Sequence, residues 1–174
     1  MTHATKRSLW LIRHAEAEDP ALGQDDSERR LSDRGMRDVD RLVEHWTQQS
    51  VTPAPWIWVS PARRTQQTAQ PLASLWQSQL ITEPTLYLGD AHELLDCLQG
   101  TPADLTQVAL VGHNPGITWL AQFLLADEAS KTLPMHLPTL GAVQLSYTGD
   151  WPDLAEGVCS LEVFLTPGVV AADG

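Results

Sequence analysis

Two histidines and three arginines stand where they could share one anion. Arg13 and His14 follow the apolar run 9–12, Arg63 and Arg64 follow 56–59 across Ser60-Pro61-Ala62, and His113 follows 108–111 and Gly112. A guanidinium offers a planar fork of donors that fits phosphate oxygens. A neutral imidazole is a nucleophile near neutral pH. Each group also has a plainer reading: a charged turn for Arg13-His14, a helix-start surface charge for Arg63 or Arg64, a satisfied core residue for His113. Their shared position after apolar runs favours the chemical reading, a histidine attacking phosphorus while arginines neutralise its oxygens.

Such a site needs elements that deliver all three groups to one edge. The apolar runs 8–12, 56–59 and 108–111 read as buried strands. Residues 32–49 read as a helix capped by Ser32, with Val39, Leu42, Val43 and Trp46 on one face. Further helices are expected over 61–77, 91–98 and 115–125, the last with Pro115 in its first turn. Segment 80–88 is extended and broken by Pro84, whereas 16–30, 51–55 and 126–141 read as loops or turns. Residues 142–147 and 158–165 alternate and should pair as a hairpin around Gly149-Asp150-Trp151-Pro152. The alternation of strands and helices implies an α/β class, a single three-layer α/β/α domain with a mostly parallel central sheet. Its limits are expected at 8–166, with loose termini at 1–7 and 167–174. In open α/β sheets ligands sit outside the carboxyl ends of the strands, where helix N-termini add free N–H groups.

Composition narrows the partners. The chain has 174 residues and a net charge of −11, unevenly distributed. Residues 1–64 hold ten Lys/Arg and ten Asp/Glu, while residues 65–174 hold Lys131 against twelve acids, so 0 + (1 − 12) = −11. With no basic stripe, nucleic-acid binding is not expected. No apolar stretch approaches a membrane span and no secretory signal is evident, so a cytoplasmic protein without membrane attachment is expected. Cys97 and Cys159 lack metal-type spacing and read as buried thiols in a reducing compartment, with a disulfide between them left open. The seven tryptophans read mostly as core or groove filler. No heptad or long apolar helix face appears, so a monomer is expected. No metal is expected, because HxxxH, HExxH and HxD pairs are missing from the motifs.

Four segments together resemble the histidine phosphatase superfamily, with its phosphoglycerate mutase-like fold, and within it the short SixA-type phosphohistidine phosphatases. These are Leu11-Ile12-Arg13-His14-Ala15, Arg29-Arg30-Leu31-Ser32-Asp33-Arg34-Gly35, the stretch from Ser60 through Arg64 to Gln67-Thr68, and Leu110-Val111-Gly112-His113-Asn114-Pro115. Their order and spacing agree over about residues 8–165. The resemblance implies that His14 attacks phosphorus and carries the phosphoryl group, that Arg13, Arg64 and His113 bind its oxygens, and that Arg29 lines the pocket mouth. It puts the family arginine on Arg64 and leaves Arg63 without a role. It also implies no cofactor and a place in signalling. The second nitrogen of His14 should donate to a fixed acceptor, for which a main-chain carbonyl is expected.

Larger members of the family supply a carboxylic acid to the leaving group. Here Asp90 and Glu93 stand in the corresponding stretch, as does His92, and Glu16 and Glu18 follow the nucleophile, but spacing places none of them. A substrate that leaves without an acid fits this gap, so phosphohistidine on a protein is the leading expectation. The short insertions leave little chain for a lid, which suits a side chain of another protein. A small phosphorylated molecule cleaved on the same core is the alternative. A phosphate-binding module without turnover and a metal hydrolase are the readings from other classes.

Overall fold

The strands are β1 (Lys6–Arg13), β2 (Trp56–Val59), β3 (Gln79–Thr82), β4 (Gln107–Gly112), β5 (Ala142–Thr148) and β6 (Ser160–Leu165). In the computed structural model, which describes residues 4–173, they form one sheet in the order β3-β2-β4-β1-β5-β6. The first four are mutually parallel. β5 runs against both β1 and β6, as expected of the terminal hairpin.

Side chains of β1 alternate between two cores, as strand geometry requires. Leu9 and Leu11 enter one cluster with Leu94 and Leu98 of α3 (Ala91–Gln99) and Ile117 and Leu120 of α4 (Gly116–Leu124). Trp10 and Ile12 enter the other with residues of α1 (Asp33–Gln48), α2 (Arg63–Trp76) and α6 (Pro167–Ala172). Helices therefore cover both faces of a mostly parallel sheet. A four-residue turn of helix, α5 (Asp127–Ser130), interrupts the segment expected to be irregular.

Local chemistry explains the helix starts. Ser32 caps α1 by accepting from the Gly35 N–H at 3.0 Å. Gly35 is required there, because a Cβ would sit 2.1 Å from the Glu16 carbonyl oxygen. The same crowding holds at Gly116, where a Cβ would meet the Gly89 carbonyl oxygen at 2.1 Å. These contacts press the 16–32 loop and the 88–90 turn against two helix starts.

One expectation needs correction. The ends are tied down beyond 8–166: Arg7 is buried and its Nη2 donates to Asp150 Oδ1 at 2.7 Å. Residues 167–172 are α6, capped by Thr166, with Val170 buried against the second core. Residues 1–3 and 174 lie outside the described residues. The tryptophans are mostly core, as expected. Trp10, Trp46, Trp76 and Trp151 are buried, but Trp119 on α4 is exposed. Cys97 and Cys159 are free thiols, not a disulfide.

Candidate active site

β2, β4 and β1 are neighbours, and their carboxyl ends are nearly level. Arg13 is opposite Gly112 and Val59 is opposite Val111. The pairing continues beyond the strands, with His14 N–H donating to the Gly112 carbonyl at 3.1 Å and Ser60 N–H to the Val111 carbonyl at 3.3 Å. His14 and His113 are thereby brought to a ring-centroid separation of 5.3 Å. A cavity of about 410 Å³ opens there, walled by Arg13, His14, Asp26, Arg29, Arg64 and His113.

His14 is 8 % exposed. Its Nδ1 lies 2.7 Å from the Ala15 carbonyl oxygen, which can only accept. The proton therefore resides on Nδ1, and Nε2 keeps its lone pair. Ala15 is fixed in turn, its N–H donating to Thr68 Oγ1 at 3.0 Å. Burial pushes the His14 pKa down to about 4, and the charges of Arg64, Arg13 and Arg29 act the same way, against the opposing hydrogen bond to Ala15. The ring is neutral near pH 7, as a nucleophile must be.

His113, 2 % exposed, is held through its other nitrogen. Nε2 and Ser60 Oγ are 2.7 Å apart, and Arg64 Nη2 approaches Nδ1 at 3.4 Å. Burial, then His14 and Arg64, bring its pKa to about 3. Ser60 can accept from an Nε2–H or donate to a bare Nε2. A guanidinium can only donate, so here Nδ1 accepts from Arg64 and Nε2–H donates to Ser60; an oxyanion that takes the Arg64 N–H away allows the second state, in which Nδ1–H donates to it.

The arginines are fixed by main chain. Arg13 Nη1 donates to the Leu137 carbonyl at 2.8 Å, which also accepts from Asn114 Nδ2 at 2.8 Å. Desolvation lowers the Arg13 pKa. Arg64 is 2 % exposed at the first turn of α2, whereas Arg63 beside it is exposed. The structure thus separates the two neighbours, with Arg64 in the pocket. Arg64 Nη1 donates to the Asp26 carbonyl at 2.7 Å and Nη2 to Asp26 Oδ2 at 2.9 Å. Arg29 is at the pocket mouth, with Nε 3.0 Å from Asp26 Oδ1 and Nη1 2.9 Å from the Glu18 carbonyl. The motif's Gln67 serves the same loop, its Oε1 accepting from Leu31 N–H at 2.8 Å.

Asp90 and Glu93 do not face the pocket chemistry. Asp90 Oδ1 accepts from the His92 and Glu93 N–H groups, and Glu93 Oε2 accepts from Asp90 N–H, all at 2.9 Å. They form the capping box of α3 and do not wall the cavity. Glu18 pairs with Arg30 at 2.9 Å. Glu16 lines the cavity and accepts from Ser32 Oγ at 2.8 Å. Sequence reasoning missed Asp26, Tyr87 and the Leu137 carbonyl. Among the described residues, no three His, Cys, Asp or Glu side chains gather as a metal site requires.

The family model for the histidine phosphatase superfamily (branch 1) matches residues 9–87. The SixA protein of Nakamurella multipartitia has the same fold at a TM-score of 0.83 and 27 % identity, covering 95 % of this chain and 98 % of that one. Residues 9–87 thus carry the sequence pattern of the histidine phosphatase superfamily, and the chain as a whole shares the fold of that SixA protein. The protein histidine phosphatase SixA complexed with tungstate has this fold at a TM-score of 0.74 and 23 % identity, with coverages of 92 % and 97 %. A phosphoglycerate mutase from Plasmodium falciparum has it at 0.61 and 15 %, with coverages of 92 % and 91 %. No curated protein matches the sequence. The superfamily match ends at Tyr87, before His113, so the second histidine enters the site on geometry alone.

Proposed function

We propose that the protein is a metal-independent phosphatase that works through a phosphohistidine intermediate on His14 and takes phosphohistidine on another protein as its substrate. The observation that carries this reading is the His14 hydrogen bond to the Ala15 carbonyl, which leaves Nε2 unprotonated in a pocket of cationic donors. Nε2 forms a bond to phosphorus as the substrate's P–N bond breaks. A substrate imidazole protonated on its far nitrogen leaves as a neutral ring and needs no protein acid. Arg13, Arg64 and His113 stabilise the charge on the phosphoryl oxygens. His14 keeps Nδ1–H throughout, so its phosphorylated ring is cationic and a good leaving group. Water then bonds to phosphorus, the P–Nε2 pair returns to His14, and the water proton leaves with phosphate. A phosphorylated alcohol would need an acid at the leaving oxygen, and the carboxylates of Asp90 and Glu93 are engaged in a helix cap. The free thiols of Cys97 and Cys159 fit a cytoplasmic setting, and signalling by a monomer is part of the same proposal.

The test is turnover of a phosphohistidine peptide and of an aryl phosphate with chelator present, alongside His14→Ala. We expect preferential cleavage of the peptide and an acid-labile phosphoenzyme that His14→Ala cannot form. Equal or faster cleavage of the ester would overturn the substrate assignment, and a variant that still turns over would overturn the nucleophile.

A further inference from the structure

Asp26 is the unexplained occupant of this pocket. Its carboxylate accepts from Arg64 Nη2 at 2.9 Å, Arg29 Nε at 3.0 Å and the Tyr87 hydroxyl at 2.7 Å, and its carbonyl accepts from Arg64 Nη1 at 2.7 Å. Two guanidiniums and a phenol converging on one anion are what a phosphoryl group would seek in the same cavity. Those donors, Tyr87 foremost, hold the Asp26 carboxyl well below the usual carboxylate range, so it is charged.

The movable partner is the aspartate. Arg64 is buried in the first turn of α2. Asp26 begins a three-residue 3₁₀ turn (Asp26–Glu28) that buries no residue. Its side chain is 44 % exposed. Leu22, earlier in the same loop, is fully exposed. The loop is held to the body here by the arginine pairs, not the reverse.

We propose that Asp26 is a built-in competitor for the phosphoryl donors: an incoming phosphoryl group displaces it, and its return expels inorganic phosphate. This inference rests on the proposed use of the pocket as a phosphoryl site. It makes Asp26 a specificity-determining residue. A seated carboxylate lowers the apparent affinity of every anion by the fraction of time the pocket is open. Free phosphate, with no other contacts, suffers most. A phosphorylated side chain on a larger partner has further binding energy to set against the competition. The same residue would shorten the life of the product complex.

The decisive experiment is calorimetric titration of inorganic phosphate into wild type, Asp26→Asn and Asp25→Asn at fixed ionic strength. Asp25→Asn removes the same charge from a neighbour that makes no side-chain cap hydrogen bond. We expect Asp26→Asn to bind phosphate about tenfold more tightly, the effect of relieving a ninefold excess of the seated state. Asp25→Asn should stay within about twofold of wild type. Binding by Asp26→Asn that is unchanged or weaker would overturn the proposal and make Asp26 a brace for the arginines. If the variant fails to fold, wild-type hydrogen exchange decides. Saturating phosphate should speed exchange of the Glu28 and Arg29 amides, which bond to Asp25 and Asp26 carbonyls at 3.0 and 3.2 Å; slowed exchange would overturn it. Turnover of the phosphohistidine peptide by the same wild-type preparation is scored separately. Tighter phosphate binding without turnover keeps this inference and removes the phosphatase reading.

Discussion

The ends of β1 and β4 present the same residue type at nearly the same level, yet they prepare it oppositely. At the end of β1, His14 is pinned through Nδ1 by a carbonyl that can only accept, which fixes one tautomer and commits Nε2 to attack. At the end of β4, His113 is pinned through Nε2 by a hydroxyl that can give or take, which leaves Nδ1 adaptable. A nucleophile needs a permanent lone pair, whereas an oxyanion donor needs a proton only when the oxyanion arrives. The identity of the anchoring atom, not of the ring, divides the labour.

The largest expected effect separates the two rings outright. His14→Ala should lower kcat/KM at least about 10⁴-fold, because no second nucleophile lines the motif. His113→Ala should lower it about 10²–10³-fold, the usual loss for one oxyanion donor. Steady-state rates on the phosphohistidine peptide, with phosphoenzyme trapping, check both. Equal losses would erase the distinction between attacker and stabiliser.

What the sequence made legible follows this same division. Strand ends were readable because 9–12, 56–59 and 108–111 are uninterrupted apolar runs, and the Ser32 cap carries its own local signal. The acceptor for His14 was readable only as a type, since any main-chain carbonyl looks alike in one-letter code. For the same reason the Leu137 carbonyl, 124 residues from Arg13, left no trace. Asp26 lies among other acidic residues in an aperiodic loop, and its pairing with Arg64 spans 38 positions. Two misses were avoidable. Asp90 followed three residues later by Glu93 is the spacing of a capping box, and Thr166-Pro167 is a helix start.

The next effect is on stability and acts on both rings. Each histidine binds its proton more weakly when folded, with a pKa of about 4 for His14 and about 3 for His113 against 6.5 when unfolded. Between those values the unfolded chain holds more protons, so stability falls as pH falls from 6.5. By pH 5 each ring should cost about 2 kcal/mol, 1.5 pH units at 1.36 kcal/mol each. Asp26 has the same sign but acts in a lower window: its folded carboxyl also binds a proton more weakly than the unfolded one, so its contribution is lost only as pH falls below the usual carboxylate range. Urea unfolding at pH 5.0 and 6.5 should therefore show a loss that shrinks by about half in either single His→Gln variant. A slope untouched by both variants would mean that the rings are not buried neutral.

The smallest effect probes the hydroxyl that distinguishes the β4 end. Ser60 is fully buried and its Oγ is also 3.3 Å from the Ala62 N–H. Ser60→Ala removes a partner of His113 Nε2 without touching Nδ1 or the nucleophile. The ring stays in place by packing against Tyr87, whose ring centroid is 5.6 Å away at 87°. What is lost is the partner that serves Nε2 in either protonation state, so kcat/KM should fall by up to about tenfold, the upper end for one neutral hydrogen bond. A loss of packing alone would lower the rate without altering the ring's protonation pattern. Imidazole ¹⁵N shifts tell the two apart: in Ser60→Ala those of His113 should move toward a mixture of tautomers, while those of His14 stay with Nδ1 protonated. Unmoved His113 shifts would show that the hydroxyl is not what prepares the second histidine, and the contrast between the two strand ends would then reduce to the nucleophile alone.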